Sequence, residues 1–79
     1  MTLRLIIVGE IEAVGAEHGK TLAPLTDDLP LAESGLDSLG FAILVSRLEE
    51  LTGRDPFAGA SRYPQTVGEL IAFYDEALV

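Results

Sequence analysis

One serine in this chain stands where a hydroxyl group could carry a phosphate-containing group. It lies in the segment Glu33-Ser34-Gly35-Leu36-Asp37-Ser38-Leu39-Gly40, where a loop turns into the most regular helical pattern of the sequence. Ser38 is therefore expected at the amino end of a helix, close to backbone amides that lack a carbonyl partner. A phosphodiester on its hydroxyl would be stabilised there by about 0.3–1 kcal/mol. The residues alone favour an ordinary capping role for Ser38, because Asp-Ser is common at helix starts.

The rest of the chain offers little material for catalysis. It contains no cysteine and one histidine, His18, which the pattern places at a helix end. This composition excludes a disulfide framework, a thiolate zinc site and a cysteine nucleophile. Asp27 and Asp28 fit turn and capping roles better than a catalytic pair, and the acids do not follow the spacing of a calcium loop. We do not expect an enzyme.

The elements that position Ser38 are predicted to be helices. Residues 3–17 form the first amphipathic helix, and Gly19 suits the left-handed residue that follows a helix. A long connection, residues 20–36, contains Pro24 and Pro30 and is too rich in leucine to be left uncovered. We expect it to pack over a helical core. The predicted core residues of the first helix are Leu3, Ile6, Ile7, Ile11 and Val14.

The second helix is predicted to begin at Asp37-Ser38 and to end at Thr52-Gly53. A short helix is expected within residues 57–61, and a last helix begins at Thr66, which forms a capping box with Glu69. No segment alternates as a strand would. The expected fold is all-α: one domain, residues 1–79, with three main helices, one short helix and a long loop between the first two. The apolar face of the second helix is expected to enter the core and comprises Phe41, Leu44, Val45, Leu48 and Leu51.

Size and charge narrow the possible partners. The chain has 79 residues, of which 48% are hydrophobic, and a formal net charge of −8. This charge disfavours nucleic acids and anionic membranes and favours a basic protein surface. The apolar run near the N-terminus is too short for a transmembrane helix and lacks the features of a signal peptide. We expect a cytoplasmic monomer.

The segment Gly35-Leu36-Asp37-Ser38-Leu39, at the start of a long helix, resembles the attachment site of the acyl carrier proteins. The rest of the chain agrees in order and size. An amphipathic helix and a Leu-bearing loop precede the segment, Leu48-Glu49-Glu50-Leu51 closes the second helix, and Thr66-Val67 begins the last one. The resemblance covers essentially the whole chain and implies a four-helix bundle of the acyl-carrier type.

The resemblance also implies a function. In that family a phosphopantetheinyl transferase moves 4′-phosphopantetheine from coenzyme A onto the serine that matches Ser38. The thiol of this group then holds an acyl cargo as a thioester for presentation to partner enzymes. The partners would be a loading ligase or synthase and a downstream acyltransferase or synthase with a basic docking surface. The positions matching the family's docking surface are Asp37, Leu39, Glu49 and Glu50, although the two glutamates could also be a merely solvated face.

Departures from the family pattern point to a specialised system. Gly40, Ile43, Ser46 and Arg47 interrupt the nearly all-acidic second helix of housekeeping fatty-acid carriers. Ile43 and Arg47 could therefore fit a particular partner and exclude others. In the alternative interpretation, Ile43 packs on the long loop and Arg47 pairs with Glu50 or Glu33.

Three functions remain open from the sequence. The first is an acyl carrier of secondary metabolism, for example of polyketides, or of a dedicated acyl-modification pathway. The second is an aminoacyl or peptidyl carrier, although Asp37 before Ser38 favours the acyl type. The third is an acidic helical interaction module that carries no prosthetic group. Only the third would tolerate the substitution Ser38→Ala.

Overall fold

Three α-helices form the frame of the protein. The computed structural model describes residues 2–78, the last of them without its side chain. The helices are α1 (Leu3–Glu17), α2 (Ser38–Thr52) and α3 (Val67–Leu78), and no strand is present within the described residues. The predicted all-α class and the three main helices are thereby confirmed.

Local signals set the ends of α1 and α2. The Thr2 hydroxyl accepts a hydrogen bond from the Leu5 amide at 3.3 Å and begins α1. Beyond the last turn, Gly19 has φ of 65°, and the Lys20 amide donates to the Gly15 carbonyl at 2.9 Å. At the end of α2, Gly53 takes the left-handed conformation. These glycines suit the position because the absence of Cβ removes the strain of a positive φ.

The core lies between the three helices and is mostly aliphatic. Ile7, Ile11 and Val14 of α1 are fully buried, as predicted, and meet Leu44 and Leu48 of α2. From α3 come Val67, Leu70 and Tyr74, which are also fully buried. Leu51 was predicted to join them, and that prediction is wrong, because its side chain is 58% exposed. Residues 53–55 after it are also exposed, so the chain turns away instead of covering Leu51.

The long connection packs over this core, as predicted. Leu22, Leu25, Leu31 and Leu36 are partly buried against it. A single 3-10 turn, Leu31–Glu33, was not predicted. Three hydrogen bonds join the connection to the first residues of α3 and to Gln65, two residues before α3. The Leu31 amide donates to the Gln65 carbonyl at 2.8 Å, the Val67 amide to the Leu29 carbonyl at 3.0 Å, and the Gly68 amide to the Asp27 carbonyl at 2.9 Å.

The short helix predicted within residues 57–61 does not form. Turns occupy residues 56–59, with hydrogen bonds from Ala58 to Asp55 and from Ala60 to Phe57. Gly59 has φ of 75°, which a right-handed helix cannot accommodate. The fourth helix of the expected bundle is therefore replaced by a turn segment, residues 55–64, that leads to α3.

Candidate functional site

The α2 start is capped by Asp37, not by Ser38. The Asp37 carboxylate accepts a hydrogen bond from the Gly40 amide at 2.8 Å. Ser38 is the first residue of α2 and is exposed, and no hydrogen bond within residues 2–78 uses its hydroxyl. The ordinary capping role that Ser38 could have had is thus filled by its neighbour. Its hydroxyl stands free at the positive end of the helix dipole.

Charge around the α2 start is partly balanced. The Gly40 amide, and then the Lys20 ammonium group, lower the pKa of Asp37 below its ordinary value. Lys20 Nζ lies 3.3 Å from Asp37 Oδ2. Lys20 thus places a positive charge beside the carboxylate of Asp37, the residue next to Ser38. The sequence carried no signal for this pair, because the two residues are far apart along the chain and their contact depends on the path of the long connection.

The backbone before Ser38 is held tightly. Gly35 has φ of 109°, and a Cβ atom there would lie 2.5 Å from the Thr21 carbonyl oxygen, so only glycine fits. The buried Ser34 hydroxyl donates to the Leu31 carbonyl at 2.7 Å and accepts from the Leu36 amide at 3.3 Å. These contacts fix the approach of the chain to Asp37 and hence the position of Ser38.

An open cleft lies directly beside Ser38. Its volume is about 370 Å³, and we call it the proximal cleft. Apart from Asp37 and Ser38, it is lined by apolar residues of the 3-10 turn, of the connection just before Asp37, of the first turn of α2 and of the end of the turn segment. Those apolar residues are Leu31, Ala32, Leu36, Phe41 and Pro64.

The sequence predicts Ser38 as the functional residue, but its pattern carries no signal for this cleft or for the position of Pro64 beside Ser38. Gly40 is buried, and a Cβ there would lie 3.3 Å from Asp37 Oδ1 and 3.4 Å from Leu36 Cδ2. Gly40 thus lies close to the capping residue Asp37 and to Leu36, which lines the proximal cleft.

The residues predicted for partner docking fall into two groups. Asp37, Leu39, Glu49 and Glu50 are exposed, and the apolar side chain of Leu39 is 62% exposed. Ile43 instead packs partly buried against the core. Arg47 donates two hydrogen bonds to Glu17, at 2.8 and 2.5 Å, and joins α2 to α1. The alternative pairing of Arg47 with Glu50 or Glu33 is therefore wrong.

Among residues 2–78, no group of three or more histidine, cysteine or acidic side chains is arranged to hold a metal ion. In the same part of the chain, every helix is too short or too polar to cross a membrane.

Comparison with known protein families shows which family contains this chain. A family model described as a phosphopantetheine attachment site matches residues 11–57, which is more than half of the chain. The chain belongs to this family. Members of the phosphopantetheine attachment family are carriers and not catalysts, and they hold 4′-phosphopantetheine covalently. They interact with modifying enzymes such as phosphopantetheinyl transferases and with synthases. No curated protein and no solved structure gives a match.

The match covers the parts that build the α2 start. It runs from Ile11, within α1, through the long connection and the whole of α2 to Phe57. Most of the turn segment, including Tyr63 and Pro64, and all of α3 lie outside it. The start of α2 with Ser38 thus lies within the matched segment, and Pro64 lies outside it.

Proposed function

We propose that the protein is an acyl carrier protein in which Ser38 carries 4′-phosphopantetheine. The observation that carries this proposal is the division of roles at the α2 start. Asp37 caps the helix, so the exposed hydroxyl of Ser38 has no structural task. A serine that the fold does not need, inside the segment that matches the attachment family, is the natural acceptor.

The residues around Ser38 fit the group. Backbone amides at the α2 start and the Lys20 ammonium offset the negative charge of a phosphodiester next to Asp37. The proximal cleft gives an uncharged organic arm apolar walls to lie against. When bound, the group supplies a thiol, which the chain itself lacks because it has no cysteine.

The attachment step needs only the hydroxyl from this chain. The Ser38 oxygen forms a bond to the phosphorus that carries the pantetheine half of coenzyme A. The bond from that phosphorus to the nucleotide's bridging oxygen breaks, and the adenosine bisphosphate leaves. The hydroxyl proton passes to a base of the transferase or to solvent. Because Ser38 is the first residue of α2, its oxygen is accessible without unfolding the helix.

The cargo is proposed to be an acyl group used in a dedicated pathway, such as secondary metabolism or acyl modification. The residue before the acceptor is Asp37, which favours the acyl type over an aminoacyl or peptidyl carrier. The α2 surface is only partly acidic, since Arg47 and Ser46 interrupt it. A surface of this kind supports a specific partner rather than the enzymes of general fatty acid synthesis.

The docking surface is proposed to lie along α2. Exposed Leu39 would supply an apolar contact near Ser38, while Glu49 and Glu50 would attract a basic partner from the other end. Asp37 would contribute its negative charge, which Lys20 neutralises only in part. Ile43 and Arg47 would contribute through the parts that the core and Glu17 leave exposed. Such contacts favour fast, salt-sensitive association.

Intact mass spectrometry tests the proposal. The protein is incubated with coenzyme A and a broad-specificity phosphopantetheinyl transferase, beside the variants Ser38→Ala and Ser46→Ala. Ser46 is the matched control, because it is also an exposed serine of α2. The parent and Ser46→Ala should gain the mass of one phosphopantetheine, and Ser38→Ala should gain none.

Two outcomes would contradict the proposal. Modification of Ser38→Ala would place the group on another residue. A folded parent that stays unmodified, even with the transferase of its own host, would favour the interaction module without a prosthetic group.

A further inference from the structure

All five aromatic residues of the chain form one cluster. The sequence contains three phenylalanines, two tyrosines and no tryptophan. Phe57, in the turn segment, is the centre of the cluster and contacts the other four rings. Its ring centroid lies 6.3 Å from that of Phe41, 5.7 Å from Tyr63, 4.9 Å from Phe73 and 6.2 Å from Tyr74. The remainder of the core is aliphatic, so aromatic surface is concentrated on one side of the molecule.

A second cleft opens on this cluster. Its volume is about 350 Å³, and it is lined by Phe41, Phe57, Tyr63 and Pro64. We call it the aromatic cleft. Phe41 and Pro64 also line the proximal cleft, so the two clefts meet at this pair of side chains. The two clefts thus form a continuous path that begins beside Ser38.

The lining of the aromatic cleft favours a flat cargo. Three of its four lining residues present rings, and Tyr63 stacks on Phe57 with an interplanar angle of 24° while remaining 59% exposed. A flat group bound in this cleft would cover the exposed ring of Tyr63. Stacked and edge-to-face contacts between rings stabilise a pair beyond the area that they bury, and a saturated chain gains none of that part.

We propose that the aromatic cleft holds the acyl cargo of the carrier and that it selects a cargo with an aromatic or conjugated group. This inference rests on the proposed function, because it takes Ser38 as the point of attachment. Its support is the continuity of the two clefts and the three rings of the second. Tyr63 is the residue on which the selection most depends, since it combines an exposed ring with a position at the cleft wall.

The test compares two cargoes that have the same number of carbon atoms. The transferase loads the protein with a cinnamoyl or a nonanoyl pantetheine group from the corresponding coenzyme A thioesters. Contacts are read by nuclear Overhauser effects between cargo protons and the rings of Phe41 and Tyr63. Protection is read as the rate at which hydroxylamine cleaves the thioester. Neither readout depends on a partner enzyme.

The cinnamoyl group should show contacts with both rings. Each cleavage rate is first divided by the rate for the same thioester on free pantetheine. The normalised rate should be lower for the cinnamoyl than for the nonanoyl group. The ratio of the nonanoyl to the cinnamoyl value should be about fivefold, which corresponds to about 1 kcal/mol of ring packing. The variant Tyr63→Ala should bring the ratio close to one. Leu51→Ala is the control, because Leu51 is equally exposed but does not line either cleft.

The outcomes separate this inference from the proposed function. If Ser38 is not modified, both fail. If the loaded protein shows no contacts between cinnamoyl and the rings, or if Tyr63→Ala and Leu51→Ala change the ratio equally, the inference alone is overturned. Equal protection of both cargoes would also overturn it.

Discussion

At the scale of single residues, the neighbours Asp37 and Ser38 have different roles: Asp37 caps α2, and Ser38 is the proposed attachment residue. Asp37 satisfies the Gly40 amide and pairs with Lys20, and both contacts lower its pKa. A carboxyl group with a depressed pKa stabilises the folded state at pH values above its unfolded pKa of about 4. That contribution is lost as the pH falls through the folded pKa, because the group must then bind a proton.

Two substitutions distinguish the cap from the charge. Asparagine caps helices as well as aspartate does, so Asp37→Asn should keep most of the stability at neutral pH but lose the part that titrates in acid. Asp37→Ala should be less stable at both pH values. Urea unfolding at pH 7 and pH 3 measures this. If Asp37→Asn and the parent lose the same stability between these pH values, the folded pKa of Asp37 is not depressed.

The hydroxyl of Tyr74 is a second residue-scale feature, and it is a source of instability. Tyr74 is fully buried, and its hydroxyl has no hydrogen-bond partner within the described residues. Burial, followed by the charges of Asp55 and Glu49, raises its pKa to about 12. An unsatisfied buried polar group costs about 1–3 kcal/mol, so Tyr74→Phe should raise the free energy of unfolding by about 1 kcal/mol.

Alkaline pH checks the same group independently. Between the unfolded tyrosine pKa of about 10 and the folded value, the unfolded chain releases the proton first. The stability of the parent should therefore fall in this range, and Tyr74→Phe should fall less. Tyr63→Phe is the control, because Tyr63 is exposed. A Tyr74→Phe protein less stable than the parent would mean that the hydroxyl has a partner after all.

At the scale of elements, the packing of the long connection on α3 depends on Gly68. Its amide donates to the Asp27 carbonyl, and a Cβ at this position would lie 3.0 Å from both Asp27 Cβ and that carbonyl oxygen. Alanine is normally preferred to glycine in a helix. At position 68, the added Cβ would push the long connection away from α3, so alanine should destabilise the protein instead of stabilising it.

A pair of glycine substitutions measures this effect. Gly68→Ala should lower the free energy of unfolding by about 1 kcal/mol, the lower end of the cost of overpacking. Gly9, in α1, has nothing within 4 Å of an added Cβ. Gly9→Ala should therefore raise stability by about 0.5–1 kcal/mol. Thermal unfolding of both variants tests the contact, and an increase for Gly68→Ala would show that the connection yields without cost.

Element boundaries were predictable where the determinants are local. Asp37 and Gly53 mark the ends of α2 through contacts within a few residues of themselves. The predicted capping box formed in part: the Glu69 amide donates to the Thr66 hydroxyl at 3.1 Å, but the Glu69 carboxylate accepts from the Gln65 amide, at 3.3 Å, and not from the amide of Thr66. The turn segment was mispredicted, because Gly59 adopts a positive φ that nothing in the apolar pattern requires.

The site was predictable only in part, for the same reason. Ser38 was predicted as the attachment residue from its local setting, namely a loop, a helix start and a recognisable segment. The Lys20–Asp37 pair, the Arg47–Glu17 pair and the position of Pro64 beside Ser38 join distant parts of the chain. A periodicity describes one face of one helix, and it does not state which residue of another element lies opposite.

At the scale of the whole molecule, the charge is strongly unbalanced. The chain contains thirteen acidic and five basic residues. Three of the five basic residues form ion pairs: Arg4 with Asp27, Lys20 with Asp37 and Arg47 with Glu17. Each pair is at least partly exposed to solvent, where ion pairs contribute little. Repulsion among the remaining acids should therefore dominate the electrostatic part of stability, and it opposes folding.

Added salt should consequently stabilise this protein. Raising sodium chloride from about 0.01 to 0.1 M shortens the screening length from about 30 to 10 Å, so repulsion between separated acids weakens more than attraction within contacting pairs. The midpoint of thermal unfolding should rise over this range. The double variant Glu49→Gln, Glu50→Gln removes two exposed acids of the proposed docking surface, so it should be more stable at low salt and respond less. A midpoint that falls as salt is added would mean that the three ion pairs outweigh the repulsion. In that case Glu49 and Glu50 would not destabilise the free protein by repulsion, and a basic partner would gain no affinity by neutralising them.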